Sequence, residues 1–242
     1  MFRSSDDKAV SNIAGLLAYR LVAFGYVLLL TVVGGALFFN PAAWPATPAI
    51  AMLAPHDTVR FLGAVLFGEL VMWDIPCAIW IKKLRRMDLM LHHIFLALGP
   101  ALVAMKFLPV FYYVWFLGLS EASSVWLAGN DFYAELHDAV AEGDQASPRL
   151  PRLARLRDIC QIGAAVTFVL VRVVGWGYMV WKLFKDTLAV LPLAASVGVR
   201  GFLRLQLFMA FAFYCLQLLW FSKLVAYTRS SGLGGATPED VV

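Results

Sequence analysis

Apolar residues run along this chain in long blocks, and polar residues gather between the blocks instead of alternating with them. A helical membrane crossing needs about 20 mostly apolar residues, and the stretches 13–39, 60–81, 88–105, 107–129, 158–182 and 202–227 approach that length. The pattern predicts an all-α, polytopic membrane protein with six transmembrane helices. A shorter apolar piece, 187–199, has a central Pro192 and about half the length of a span, which suits an interfacial or re-entrant segment. If it crosses, the number of spans is seven and the termini lie on opposite sides. Between the blocks, 40–58 holds four prolines and reads as an irregular loop. The link 130–158 is acidic first and basic later, with Gly143, Ser147 and Pro148 marking a break. The chain divides into an N-terminal segment with the first helix (1–59), a main helical domain (60–227) and a flexible cytoplasmic tail (228–242).

Composition agrees with the pattern. At 61% hydrophobic and 15% charged, with a mean hydropathy of +0.75, the chain is far more apolar than a soluble domain. The net charge of +4 is unevenly spread. Lys82, Lys83, Arg85 and Arg86 follow the second block, and Arg149, Arg152, Arg155 and Arg157 precede the fifth. With Arg3, Lys8, Arg20, Lys223 and Arg229 they fall on one side, against Arg60, Lys106, Lys182, Lys185 and Arg200 on the other. The positive-inside rule then puts both termini in the cytoplasm, and the basic excess reports topology and anionic headgroups, with no call for nucleic acid. Cys77, Cys160 and Cys215 have no paired spacing, so neither disulfides nor a metal site is expected. Asp6 and Asp7 argue against a transit peptide, and the first apolar block is too long for a cleaved signal.

The candidate chemistry is the set of polar residues inside the blocks. Ionisable groups at membrane depth are costly and mark functional sites or buried polar clusters. The second block carries Glu69 and Asp74, with Pro76 placed to bend it; the third carries the adjacent pair His92 and His93. Ser120, Glu121, Ser123 and Ser124 lie in the fourth, Gln161 and Arg172 in the fifth, and Arg204, Gln206 and Gln217 in the sixth. These should converge on a shared interior. At 1.5 Å of rise per residue, His92 lies roughly 6 Å inside the cytoplasmic edge and Asp74 and Glu121 roughly 10–12 Å inside it, so they fit one cytoplasm-facing pocket with Arg172 beyond. Neighbours on a helix point about 100° apart, so the two histidines play different parts. An imidazole oriented by Asp74 can act as a general base towards a hydroxyl or amine, or as a nucleophile towards a thioester. Asp88, one turn before His92, is a second candidate partner. The simpler reading is that both histidines hydrogen-bond across helices and hold the bundle together. For Arg172 the simplest role is a counter-ion. Trp73, Trp115, Trp126, Trp176, Trp181 and Trp220 suit interfacial belts and packing, and Gly34-Gly35 and Gly175/Gly177 suit close helix approach.

The run from Gly63 to Asp74, then Leu91-His92-His93-Ile94 and Leu119-Ser120-Glu121-Ala122-Ser123-Ser124, resembles the TLC domain, named for TRAM, Lag1 and CLN8. Phe168 to Val173, around Arg172, and Tyr214 to Trp220, around Gln217, fit the same family in matching order over 60–227. The resemblance implies a helical bundle around a lipid-sized cavity, in the endoplasmic reticulum. It implies acyl transfer from acyl-CoA, as in the ceramide synthases, whose catalytic histidine pair would fall on His92 and His93. Those enzymes have an aspartate-rich second signature where this chain has Ser120-Glu121 and Ser123-Ser124, so it looks closer to the small TLC-domain proteins that govern lipid composition. Two classes of function follow. One is an acyltransferase using His92, His93 and Asp74, with Glu69, Glu121, Ser124, Arg172 and Gln217 towards the lipid, acyl-CoA as co-substrate and no other cofactor. The other is a non-catalytic lipid-binding regulator or an accessory subunit of a larger membrane complex.

Overall fold

A computed structural model describes residues 5–43, 56–85, 87–104, 110–194 and 196–232, and the described residues are helical with no strand. The chain runs through α1 (Ser5–Phe38), α2 (Asp57–Trp80), α3 (Met87–Ala104), α4 (Val110–Phe116), α5 (Ala122–Gly143), α6 (Leu150–Leu193) and α7 (Val197–Gly232). Four stretches are long and apolar enough to cross a membrane: Ile13–Phe38, Asp57–Trp80, Leu150–Leu193 and Val197–Ala226. Large apolar side chains such as Val32, Phe61, Met72, Ile162, Leu170 and Phe208 point outward. Helices apolar on every side keep that surface out of water only in a bilayer. The protein is an integral membrane protein.

The helical blocks end differently from the expected spans. The block 107–129 is broken: α4 stops at Phe116, a turn at Leu117 and Gly118 leads into a 3-10 turn (Leu119–Glu121), and α5 then runs on to Gly143. Much of the link 130–158 is therefore helix, and the break signalled by Gly143 and Pro148 is the short turn between α5 and α6. Hydropathy cannot see these extensions, because they are helical but polar. Residues 187–199 form no helix of their own. They comprise the end of α6, a 3-10 turn at Leu191–Leu193 and the start of α7. Pro192 explains the corner, since its ring blocks continuation of the helix. The tail expected from residue 228 begins as helix up to Gly232, and 233–242 lies outside the described residues, as does most of the loop 40–58.

Two apolar clusters hold the bundle. Leu30 of α1, Leu62 and Leu66 of α2, Ala97 of α3 and Val114 of α4 form one. Tyr112 and Phe116 of α4 with Trp176, Met179, Leu183 of α6 and Leu203 of α7 form the other. Trp176, one of the tryptophans suited to interfacial belts and packing, packs: it is 4% exposed and donates to the Ala210 carbonyl at 3.4 Å. Along the middle of α5, Arg20 pairs with Asp131 at 2.8 Å and Lys83 with Glu135 at 2.7 Å, tying α1 and the α2–α3 link to α5.

The tightest crossing is between α1 and the break before α5. A Cβ on Gly34 would lie 2.6 Å from the Gly118 Cα, and one on Gly118 would lie 2.7 Å from the Gly34 Cα. Two backbones meet there with no room for a side chain. Gly34→Ala should therefore destabilise the protein by about 1–3 kcal/mol through overpacking. Gly25→Ala on the same helix meets nothing within 4 Å and should be neutral or slightly stabilising. Unfolding of the two variants in detergent micelles, followed by tryptophan fluorescence, checks the contrast.

Candidate functional site

The site is built on two widened helical turns. In α2, Leu70–Asp74 forms a π turn in which the Ile75 N–H reaches the Leu70 carbonyl. Pro76 follows directly and has no N–H for the Met72 carbonyl, which favours such a rearrangement. In a regular α-helix, residues five apart diverge by about 140°; an i→i+5 turn brings them back towards one face. Glu69 and Asp74 flank this turn, and both are buried, at 7% and 8% exposure. The Glu69 carboxyl and the Tyr19 hydroxyl of α1 both approach Asp74.

Helix α3 presents the histidines to this cluster in two directions. His93 places Nδ1 3.4 Å from Oδ2 of Asp74. His92 turns towards α7, where the Trp220 ring lies 5.0 Å away and the Phe213 ring 5.9 Å away, both edge-on. The two imidazole centroids are 5.6 Å apart. The expected split between the neighbours is thus observed, with His93 on the carboxylates and His92 among aromatic rings. The side chain of Asp88 lies outside the described residues. Gln217 is on the same α7 face as Phe213 and Trp220 by helical spacing. It is fully buried, and neither atom of its carboxamide has a hydrogen-bond partner among the described residues.

The second widened turn, Phe168–Gly175 in α6, carries Arg172. The residue is 7% exposed, and its guanidinium is held by the segment before and at the start of α5. Nε donates to the Ser120 carbonyl at 3.2 Å and to Ser123 Oγ at 2.7 Å. Nη2 donates to Glu121 Oε2 at 3.0 Å and to Ser124 Oγ at 2.7 Å. The motif Ser120-Glu121-Ala122-Ser123-Ser124 is therefore a guanidinium cradle, shaped by the 3-10 turn. Trp115 lies against the same π turn, where a Cβ on Gly175 would collide with its Cζ2. Glu121 faces Arg172 and is also near enough to act electrostatically on Glu69 and His93, so the cradle and the histidine cluster adjoin.

Spacing alone identified neither Tyr19, on the third polar side of Asp74, nor Trp220 and Phe213 around His92. Tyr19 lies in the first apolar block beside Arg20, and only its packing with Ala78 and Leu84 places it over α2. Between α3, α4, α6 and α7 a slot of ≈ 50 Å³ is lined by Gly99, Tyr113, Gln206 and Phe213. There the Tyr113 hydroxyl donates to Gln206 Oε1. That space has room for a few waters and is smaller than the lipid-sized cavity expected.

A bundle of apolar helices with carboxylates, imidazoles and a guanidinium gathered at its centre defines a polytopic membrane protein with a buried polar site. Residues 17–226 match the family model TRAM_LAG1_CLN8, the TLC domain. The chain belongs to the TLC-domain family, and the match takes in α1 as well as the region that carries the motifs. No curated protein and no solved structure matches it.

The cradle makes a quantitative demand. Arg172→Ala removes a guanidinium from four hydrogen bonds and leaves Glu121 unpaired, which should cost about 3–5 kcal/mol. Arg172→Met combined with Glu121→Gln removes both charges and should recover most of that loss. Unfolding midpoints of the single and double variants in the same detergent test this; equal losses would show that the ion pair is not what the segment requires.

Proposed function

We propose that this TLC-domain protein acts in lipid metabolism as an acyl-CoA-dependent acyltransferase, with His93 as general base and Asp74 holding its imidazole. The observation that carries the reading is the approach of His93 Nδ1 to Asp74 at 3.4 Å, inside a cluster that includes Glu69 and Tyr19. With Nδ1 at ion-pair distance from the carboxylate, Nε2 is the ring nitrogen left for a substrate. In the proposed reaction Nε2 takes the proton of an acceptor amine or hydroxyl as its heteroatom attacks the thioester carbonyl. The C–S bond then breaks, and the imidazolium returns the proton to the departing thiolate. His92 and Gln217 border the path of the acyl chain, and Glu121, Ser124 and Arg172 form its inner wall. In this reading α3 and the broken α4–α5 unit cross the membrane along with the four long helices, giving six spans with both termini cytoplasmic, in the endoplasmic reticulum.

A second reading is favoured by the narrowness of the slot beside Phe213. Here the protein is a lipid-binding regulator or a subunit of a larger membrane complex, and the histidine cluster fastens α2, α3 and α7 together.

Purified protein given labelled acyl-CoA and a panel of lipid amines and alcohols separates the two. Turnover that falls by at least about a hundredfold in His93→Ala, the scale of general-base catalysis, supports the enzyme, provided the variant melts like wild type. Asp74→Asn should lower the rate and alter its pH profile. Absence of turnover and of any histidine-dependent acyl adduct in wild type, with lipid retained, supports the regulator instead.

A further inference from the structure

We propose that the lateral groove between α6 and α7 binds one anionic phospholipid, its acyl chain against the aromatic walls and its phosphate on Arg204. The groove has a volume of ≈ 580 Å³ and opens sideways, a size that suits a lipid chain. On the α6 wall, Trp181 and Phe184 stack with centroids 6.0 Å apart. On the α7 wall, Phe208 and Phe211 are 66% and 57% exposed. Among these rings Arg204 is the one charged lining residue.

Charge selects the occupant. Arg204 is exposed and makes no ion pair among the described residues. Arg200, one turn earlier on α7, is also exposed, and like charges at i,i+4 repel. On the α6 side Lys185 lies over the Trp181 ring at 5.7 Å. The neighbouring carboxylate, Asp186, accepts the Tyr112 hydroxyl. Arg204 is therefore the charge that lines the groove, and no acid pairs with it among the described residues. A guanidinium beside hydrocarbon needs an anion, and a phosphate supplies one with oxygens matched to its fork. A partner helix would cover the rings but would have to bring its own acid to Arg204; a phospholipid brings chain and anion together. The phosphate position is separate from the histidine cluster, since Arg204 lies roughly 14 Å along α7 from Phe213, the nearer ring on His92, at 1.5 Å per residue.

The test uses the full chain in bilayer discs made from equal parts phosphatidylcholine and phosphatidylglycerol. Lipids retained after gentle detergent release are counted by native mass spectrometry. Wild type should keep one phosphatidylglycerol in preference to phosphatidylcholine. Arg204→Ala should lose that preference by roughly tenfold, the scale of one charge-assisted contact, while Arg204→Lys keeps part of it. Arg155→Ala, on the helix segment near the α5–α6 turn, should leave it unchanged. Equal retention of the two lipids by wild type, a preference that survives Arg204→Ala, or a dimer whose formation depends on Arg204 would each overturn the assignment.

Discussion

A guanidinium inside a bilayer protein needs hydrogen-bond partners, and the need to satisfy Arg172 organises the centre of this molecule. Leaving such a group unpaired in a low-dielectric interior is costly, so the donors of Arg172 dictate what surrounds them. The helix leading from α4 breaks at Gly118, and the 3-10 turn that follows exposes the Ser120 carbonyl to Nε. The first turn of α5 then supplies the Ser123 and Ser124 hydroxyls. An uninterrupted helix over 107–129 would have spent the Ser120 carbonyl within its own hydrogen-bond ladder. The break also permits the Gly34–Gly118 crossing, which brings α1 against the cradle. One buried charge thus accounts for the break, the serine-rich motif and the closest helix approach.

The buried carboxylates pose the same problem with opposite sign. Glu69 and Asp74 would diverge on a regular helix; the π turn draws them towards one face, where His93 and Tyr19 can meet them. Both long polar stretches of the site therefore use a local departure from α-helical geometry to aim side chains that regular spacing would scatter. Such turns weaken the helix that contains them and are frequent at functional sites for that reason.

Much of this was legible in the sequence because hydrocarbon tolerates few polar residues. Glu69, Asp74, His92, His93, Glu121, Arg172 and Gln217 stand out against apolar runs, and depth along the helices brought Asp74 level with the histidines. What could not be read was rotation. Whether His92 or His93 meets Asp74 depends on the turn of α3 about its axis, and that is set by Trp220 and Phe213, distant in sequence. The π turns were invisible, since only Pro76 hints at one and nothing local announces the other around Arg172. The helical extensions of α5 and α6 escaped because their exposed faces are charged, so hydropathy reads them as loop.

Those extensions give the molecule an asymmetry of scale. A helix of 44 residues, as in α6, rises about 66 Å, twice the thickness of the hydrocarbon layer. Its early turns, with Arg152 and Arg155, stand with α5 as a paired rod beyond the apolar part of the bundle. The rod shares its backbone with the π turn that seats Arg172, so the buried cradle is the pivot of an arm whose other end carries Arg152 and Arg155. From Arg155 to Arg172 the arm is about 25 Å long, and tilting it by about 5° carries the tip by about 2 Å. With Arg172 as the pivot, such a tilt is felt at the cradle as a change of angle, and the ångström-scale displacement stays at the charged tip.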